Sequence, residues 1–290
     1  MISALLVKEL REKSGAGMMD AKKALLETGG DLEAAQDWLR TKGLLKAEKK
    51  SSRIAAEGLV GVRVQGDTGM IVELNSETDF VATNKEFIEL VDLVLSEGFG
   101  ITDKDDILKK NVAGKTCQEI INNKIATIGE NINLRRATSI KGPNIYAYIH
   151  NSVSKDCGKI GVLVSLEGIK NEDFGKKLAM HIAATAPLAV SETDMDKTLI
   201  DREKKIISEQ LSAEGKPAEI AEKILSGKLK KFFEENTLLN QKFVMDPENS
   251  VSKVLENNNQ VLVDFVRFKV GEGIDRKERD FAAEVKDIVS

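Results

Sequence analysis

Long apolar runs are missing from this 290-residue chain, and none approaches the length needed to cross a bilayer. The opening MISALLVKELREK interleaves charges with Leu5, Leu6 and Leu10 and lacks the extended apolar core and small-residue cleavage site of a secretory leader. Cysteine is scarce. Cys117 and Cys157 are too few to staple a chain this long, form no C-x-x-C, and suit a reducing cytosol. Only two histidines occur, His150 and His181, too far apart for metal-ligand spacing. Basic excess is absent too: a formal charge of −4 and a pI near 5.6 argue against an extended footprint for nucleic acid or anionic lipid. The expectation is a cytoplasmic protein with no cofactor, no direct nucleic-acid contact and no membrane contact, whose partner is another protein.

What is present is pattern. The first fifty residues read as three short helices. Leu5, Leu6 and Leu10 stripe the first, Gly15–Gly17 break it, and Met18, Ala21, Leu25 and Leu26 stripe the second. Asp31 is an N-cap for a third carrying Leu32, Ala35, Trp38 and Leu39, with Trp38 expected at the centre of the bundle and Lys46–Arg53 as a charged linker. LVGVRVQGDTGMIVELN then predicts a β-hairpin, Thr83 with Glu86 a capping box before Phe87, Leu90, Val91 and Val94, and Thr116 with Glu119 a second one. NINLRRATSI reads as a third strand. The order recurs: NIYAYIH and KIGVLVSLEG as a hairpin, DFGKKLAMHIAA and SVSKVLENN as helices, QVLVDFVRFKVG as a closing strand. Two stripes around EGKP, ending near Gly227, interrupt the second copy as an antiparallel helical hairpin. Past Gly271 and Gly273 a last amphipathic helix carries Phe281.

Reaction chemistry is hard to find. AGKT (Ala113–Thr116) resembles the end of a phosphate-binding loop, but position 109 is lysine where the motif needs glycine, and Thr116 is better read as a helix cap. A cysteine nucleophile would pair Cys117 or Cys157 with His150 or His181, yet His181 sits on an apolar helix as a core histidine would. Lys228–Lys231, like Arg135 and Arg136, are interleaved with acids, and those in helices read as solvated faces. A binding protein rather than an enzyme is expected.

NSETDFVATNKEF (75–87) is the least generic stretch. With LVKELREKSGAGMMDAKKALLETGGDLEAAQDWLR, IGENINLRRA, IGVLVSLEG, GKPAEIAEKILSGKLKKF, KFVMDP and FVRFKVGEGI, it closely resembles the bacterial elongation factor Ts family, collinearly over essentially the whole chain. The resemblance implies a guanine nucleotide exchange factor for elongation factor Tu, carrying GDP or empty, which dislodges magnesium so that GDP leaves and GTP can rebind. It implies an α+β fold: a UBA-like three-helix domain (1–54), two related α+β subdomains with small antiparallel sheets (55–141; 142–190 with 229–270), a helical hairpin insertion (191–228) and a C-terminal helical module (271–290). Thr78, Asp79, Phe80 and Val81 match the segment that intrudes beside the partner's magnesium. Gly15, Gly17, Met18, Met19 and Asp20 match a surface meeting the GTPase domain. Ile128, Gly129, Glu130 and Asn131, with Tyr148 and His150, match contacts to the distal domain, and Asp280 and Phe281 match an embracing tail. After His150 the stretch NSVSKDCG is longer than the family's usual turn, which leaves that contact open. From the residues alone, Phe80 would tuck into the local core with Asp79 as a turn residue; the resemblance reverses this. The alternatives are a ubiquitin-like-binding adaptor built on the first three helices, or an enzyme using Cys157 and His150.

Overall fold

The computed structural model describes residues 2–214 and 217–275. Three helices open the chain: α1 (Ala4–Ser14), α2 (Met18–Glu27) and α3 (Leu32–Lys50). Asp31 caps α3 by accepting from the amides of Glu33 and Ala34, as its position predicts. Gly15 ends α1 at φ 71°, where a side chain would be strained. Leu10, Ala21, Ala24, Leu25 and Ala35 fill the centre. Trp38 does not: it lies half-buried at the rim, with the Lys42 ammonium 5.3 Å from its ring centroid. The centre it is expected to fill is occupied by Leu10, Leu25 and three alanines. The expected linker is largely helix as well, because its Lys, Ala and Glu residues favour continuing α3 to Lys50.

The first half of the sheet structure is β1 (Glu57–Gln65) and β2 (Thr68–Ser76), a hairpin registered from Glu57↔Ser76 to Gln65↔Thr68. There follow α4 (Asp79–Ala82), α5 (Lys85–Glu97), α6 (Lys104–Lys109), the two-strand ribbon β3 (Asn111–Val112) and β4 (Lys115–Thr116), α7 (Cys117–Ile128) and β5 (Asn133–Lys141), which pairs antiparallel to β2. Thr116 and Glu119 cap α7 reciprocally. The phosphate-loop-like AGKT is thereby explained: Ala113 and Gly114 form the ribbon's turn, both at positive φ. The other expected capping box is corrected. Asn84, not Thr83, caps α5, because Thr83 is engaged in closing α4, its hydroxyl donating to the Phe80 carbonyl at 2.9 Å.

The second half repeats the plan. β6 (Asn144–Ser152) and β7 (Cys157–Gly168) form a hairpin; α8 (Glu172–Thr185), α9 (Lys197–Ala213), α10 (Ala218–Asn236), the ribbon β8 (Lys242–Phe243) and β9 (Asp246–Ser250), α11 (Val251–Asn257) and β10 (Gln260–Lys269) follow. β10 pairs with β7 as β5 pairs with β2. These small antiparallel triples join where Val60 and Gly61 of β1 meet Gly158 and Cys157 of β7, giving one six-stranded sheet.

The triples also pack face to face, in the order helix, sheet, sheet, helix. Alternation along β1 shows it. Leu59 faces the α5 and α7 side with Met70, Phe87 and Val91, while Val60 and Val62 face the other triple with Ile71, Ile145 and Leu163. Val162, Val164 and Leu166 point outward from β7 onto Leu178, Ile182 and Val254. Gly161 permits the close approach, since a Cβ there would lie 2.5 Å from Val60 Cγ1. Buried among this apolar surface is one carboxylate. Glu73 on β2, fully enclosed, accepts from Arg135 Nη1 at 3.1 Å, Arg136 Nε at 2.6 Å and the Gly271 amide at 2.8 Å, tying the first half to the chain leaving β10. The two arginines are therefore structural anchors. Ile207 and Leu211 of the α9–α10 hairpin are buried, but neither belongs to the four core clusters. No helix among the described residues is long and apolar enough to cross a membrane.

Candidate partner-binding site

Where β2 ends, the chain makes one turn of helix and presents Phe80 to solvent. Val81 and Ala82 are buried against Phe87 and Leu90, so the opposite side of this short helix, Asp79 and Phe80, must face outward. Phe80 is 81% exposed. The local-core placement that the residues alone favour is thus not the one adopted. Large aromatics rarely stand so free, because burial would stabilise one by roughly 1.5–3 kcal/mol. Four residues cannot hold a helix by their own hydrogen bonds, and the support comes from elsewhere. The Glu130 carboxylate accepts from the Glu77 amide at 3.1 Å, the Thr78 amide at 3.0 Å and the Thr78 hydroxyl at 2.6 Å.

Ile128–Asn131, whose counterparts the resemblance places at a partner contact, engage their own chain. Ile128 packs at the edge of the α5–α7 core. Gly129 ends α7 at φ 91°, and its carbonyl accepts from Lys50 Nζ at the end of α3. Asn131 is buried; its amide donates to Glu77 Oε1 at 2.6 Å and its side-chain nitrogen to the Arg53 carbonyl at 2.8 Å. Gly15 and Gly17 bracket the α1–α2 turn, and beside it Met18 and Met19 are 61% and 76% exposed, with Leu5 exposed on the same helical unit. Asp20 accepts from Lys46 Nζ at 3.0 Å. This unit is held to the core through α3 and α7, by Arg40 with Glu119 and by Gly43 against Ala126.

Tyr148 and His150 are on β6, with the tyrosine hydroxyl 3.1 Å from His150 Nδ1 and His150 exposed. The longer stretch that follows is a tight connection: Val153 and Ser154 amides both donate to the Cys157 carbonyl. Asp280 and Phe281 lie outside the described residues.

The cysteines are poorly suited to nucleophilic chemistry. Burial pushes the Cys157 thiol up to about 11 and raises that of Cys117 as well, suppressing the thiolate. His181 is buried and neutral. Its Nδ1 accepts from the Val244 amide and its Nε2 donates to Gln241 Oε1, and burial lowers its pKa. No group of three or more His, Cys, Asp or Glu among the described residues could hold a metal ion. Sequence reasoning overlooked Glu73 and the supporting role of Glu130. The first had a signal, an acid inside the otherwise apolar GMIVELN; the second had none, since residues 77 and 130 meet only in the folded chain.

Comparison with known proteins matches residues 77–272 to the family model described as Elongation factor TS. The chain is 51% identical over 287 residues to Elongation factor Ts of Paracoccus denitrificans, covering 98% of this chain and 97% of that protein. The corresponding proteins of Cereibacter sphaeroides and Dinoroseobacter shibae are each 50% identical, again over 98% of this chain and 97% of theirs.

Proposed function

The chain belongs to the elongation factor Ts family, and from that premise we propose that it acts in the cytoplasm as the guanine nucleotide exchange factor of elongation factor Tu. It would perform no bond chemistry of its own. The observation that carries the reading is Phe80, an aromatic held 81% exposed on a short helix whose other side is anchored in the core. Magnesium and GDP in a GTPase are held through oxygen ligands and phosphate-loop amides at fixed distances. A rigid apolar side chain driven between helices beside that site displaces the ligands without binding nucleotide. Phe80 is the wedge, Asp79 adds negative charge where the metal sat, and Thr78 and Val81 hold the turn.

The broad contact is divided among the units. The helices of residues 1–54, read as UBA-like, bring Met18, Met19 and Asp20 beside Gly15 and Gly17 to the GTPase domain. The two subdomains, 55–141 and 142–190 with 229–270, supply Phe80 and the pair Tyr148 and His150. The hairpin 191–228 is an insertion in the second, and Asp280 and Phe281, in 271–290, are assigned to contact with the GTPase domain.

The test is release of fluorescent GDP from elongation factor Tu on adding this protein. Acceleration by orders of magnitude at saturation is expected, and none would overturn the reading. Calorimetry of the protein alone with GDP should show no binding.

A further inference from the structure

We propose that Glu130 is a positioning residue for exchange, holding the Phe80-bearing turn from behind rather than touching the partner. The proposal rests on the wedge reading of Phe80. Phe80, exposed as it is, contributes little to fixing its own place. The hydrogen bonds behind it must do so. A four-residue helix has no cooperativity and leaves its first amides unpaired. Glu130 takes up the two amides at its entrance, those of Glu77 and Thr78, and also the Thr78 hydroxyl. Both oxygens of Glu130 are thus engaged within the chain.

The bracing is reciprocal. Glu77 Oε1 accepts from the Asn131 amide at 2.6 Å and lies 3.5 Å from Arg53 Nη1, while the Asn131 side chain donates to the Arg53 carbonyl. Three separate pieces of chain are pinned at one point: the entrance of the Phe80 turn, the exit of α7 and the segment leaving α3. Since α3 also carries the unit with Met18 and Met19, the pin sets the wedge in one frame with a second contact surface. A wedge that had to be ordered on binding would spend binding energy on its own ordering instead of on displacing ligands.

Glu130→Ala removes the brace, and Glu130→Gln restores its shape, its carbonyl accepting from both amides and its NH2 donating to Thr78. In the free protein, hydrogen exchange at the Glu77 and Thr78 amides should quicken about tenfold or more in the alanine variant and stay near wild type in the glutamine variant. In GDP release from elongation factor Tu, the alanine variant's plateau rate at saturation should fall about tenfold, with affinity for the empty partner within about threefold, and glutamine should restore the plateau. Unchanged exchange in the alanine variant overturns the proposal. So does a loss confined to affinity, which would mark a direct contact, or failure of glutamine to rescue. If the wild-type protein does not stimulate release, the exchange-factor reading fails, while the exchange measurement still decides the brace. Should the alanine variant fail to fold, Thr78→Val removes only the hydroxyl bond and should quicken the same amides about threefold; no change there overturns the proposal.

Discussion

The chain leaves β2 and β7 at equivalent points of two equivalent strand triples, and each time an apolar residue ends up in water: Phe80 at 81% exposure, Ile169 at 86%. What lies behind them differs. After β7 the chain passes through Lys170 and Asn171 straight into α8, tied by the Asn171 amide to the Tyr146 hydroxyl and by Gln260 Nε2 to the Ile169 carbonyl. After β2 a turn of helix is interposed, its inner side in the core and its entrance clamped by a carboxylate. A single exposed aliphatic is ordinary on a protein surface. Repetition of topology therefore places an apolar residue in water at both points, but only at Phe80 is a braced turn of helix set behind it. Exposure alone would not distinguish the two sites.

The largest expected effect concerns what makes the halves comparable at all. Glu73→Ala takes one acceptor from each of Arg135 and Arg136, which keep the Glu272 and Lys269 carbonyls, and frees the buried Gly271 amide, and should destabilise by about 2–3 kcal/mol in urea denaturation. A loss under about 1 kcal/mol would mean that the apolar interior alone joins the triples.

Next comes the comparison itself. Phe80→Ala should lower the plateau rate of GDP release about tenfold, equivalent to 1.4 kcal/mol of coupling, whereas Ile169→Ala should leave it within about twofold. Equal effects would erase the distinction. A Phe80→Ala plateau that is unaltered, with only affinity reduced, would make Phe80 an anchor.

A smaller asymmetry is pH dependence, which belongs to the second half. His181 keeps its proton off because burial penalises the cation and the Val244 amide occupies Nδ1. The unfolded imidazole takes up a proton near pH 6.5 while the folded one resists, so the unfolded state gains as pH falls. The urea midpoint should be lower at pH 5.5 than at pH 7.5, and the drop should shrink in His181→Gln. Carboxylates titrate near 4, below this window.

The smallest effect should come from removing the feature that the second half alone possesses. Replacing residues 197–231 by a short Gly/Ser linker takes away a hairpin whose buried Ile207 and Leu211 lie outside the core clusters. Cooperative thermal unfolding should survive with its midpoint little changed. A broadened transition would show that the hairpin is part of the second half's core.

Much of this molecule could be read without its coordinates because local physics decides it. Asp31, and Thr116 with Glu119, cap helices where their spacing predicts. Alternation in VGVRV and MIVEL marks a hairpin, and the same order of patterns recurs downstream. NSETDFVA is the exception: its residues by themselves favour a core placement for Phe80, and only the family resemblance singles the stretch out. Tertiary structure decided the rest, wherever the partner comes from far along the chain. That Phe80 stands out rather than tucks in follows from Val81 and Ala82 winning the core positions. That Glu130 serves the turn at Thr78, that Arg135 and Arg136 close on Glu73, and that two strand triples share one interior through Gly161 are all contacts across tens of residues. Periodicity records which side of an element is apolar; it carries no record of which distant atom meets it.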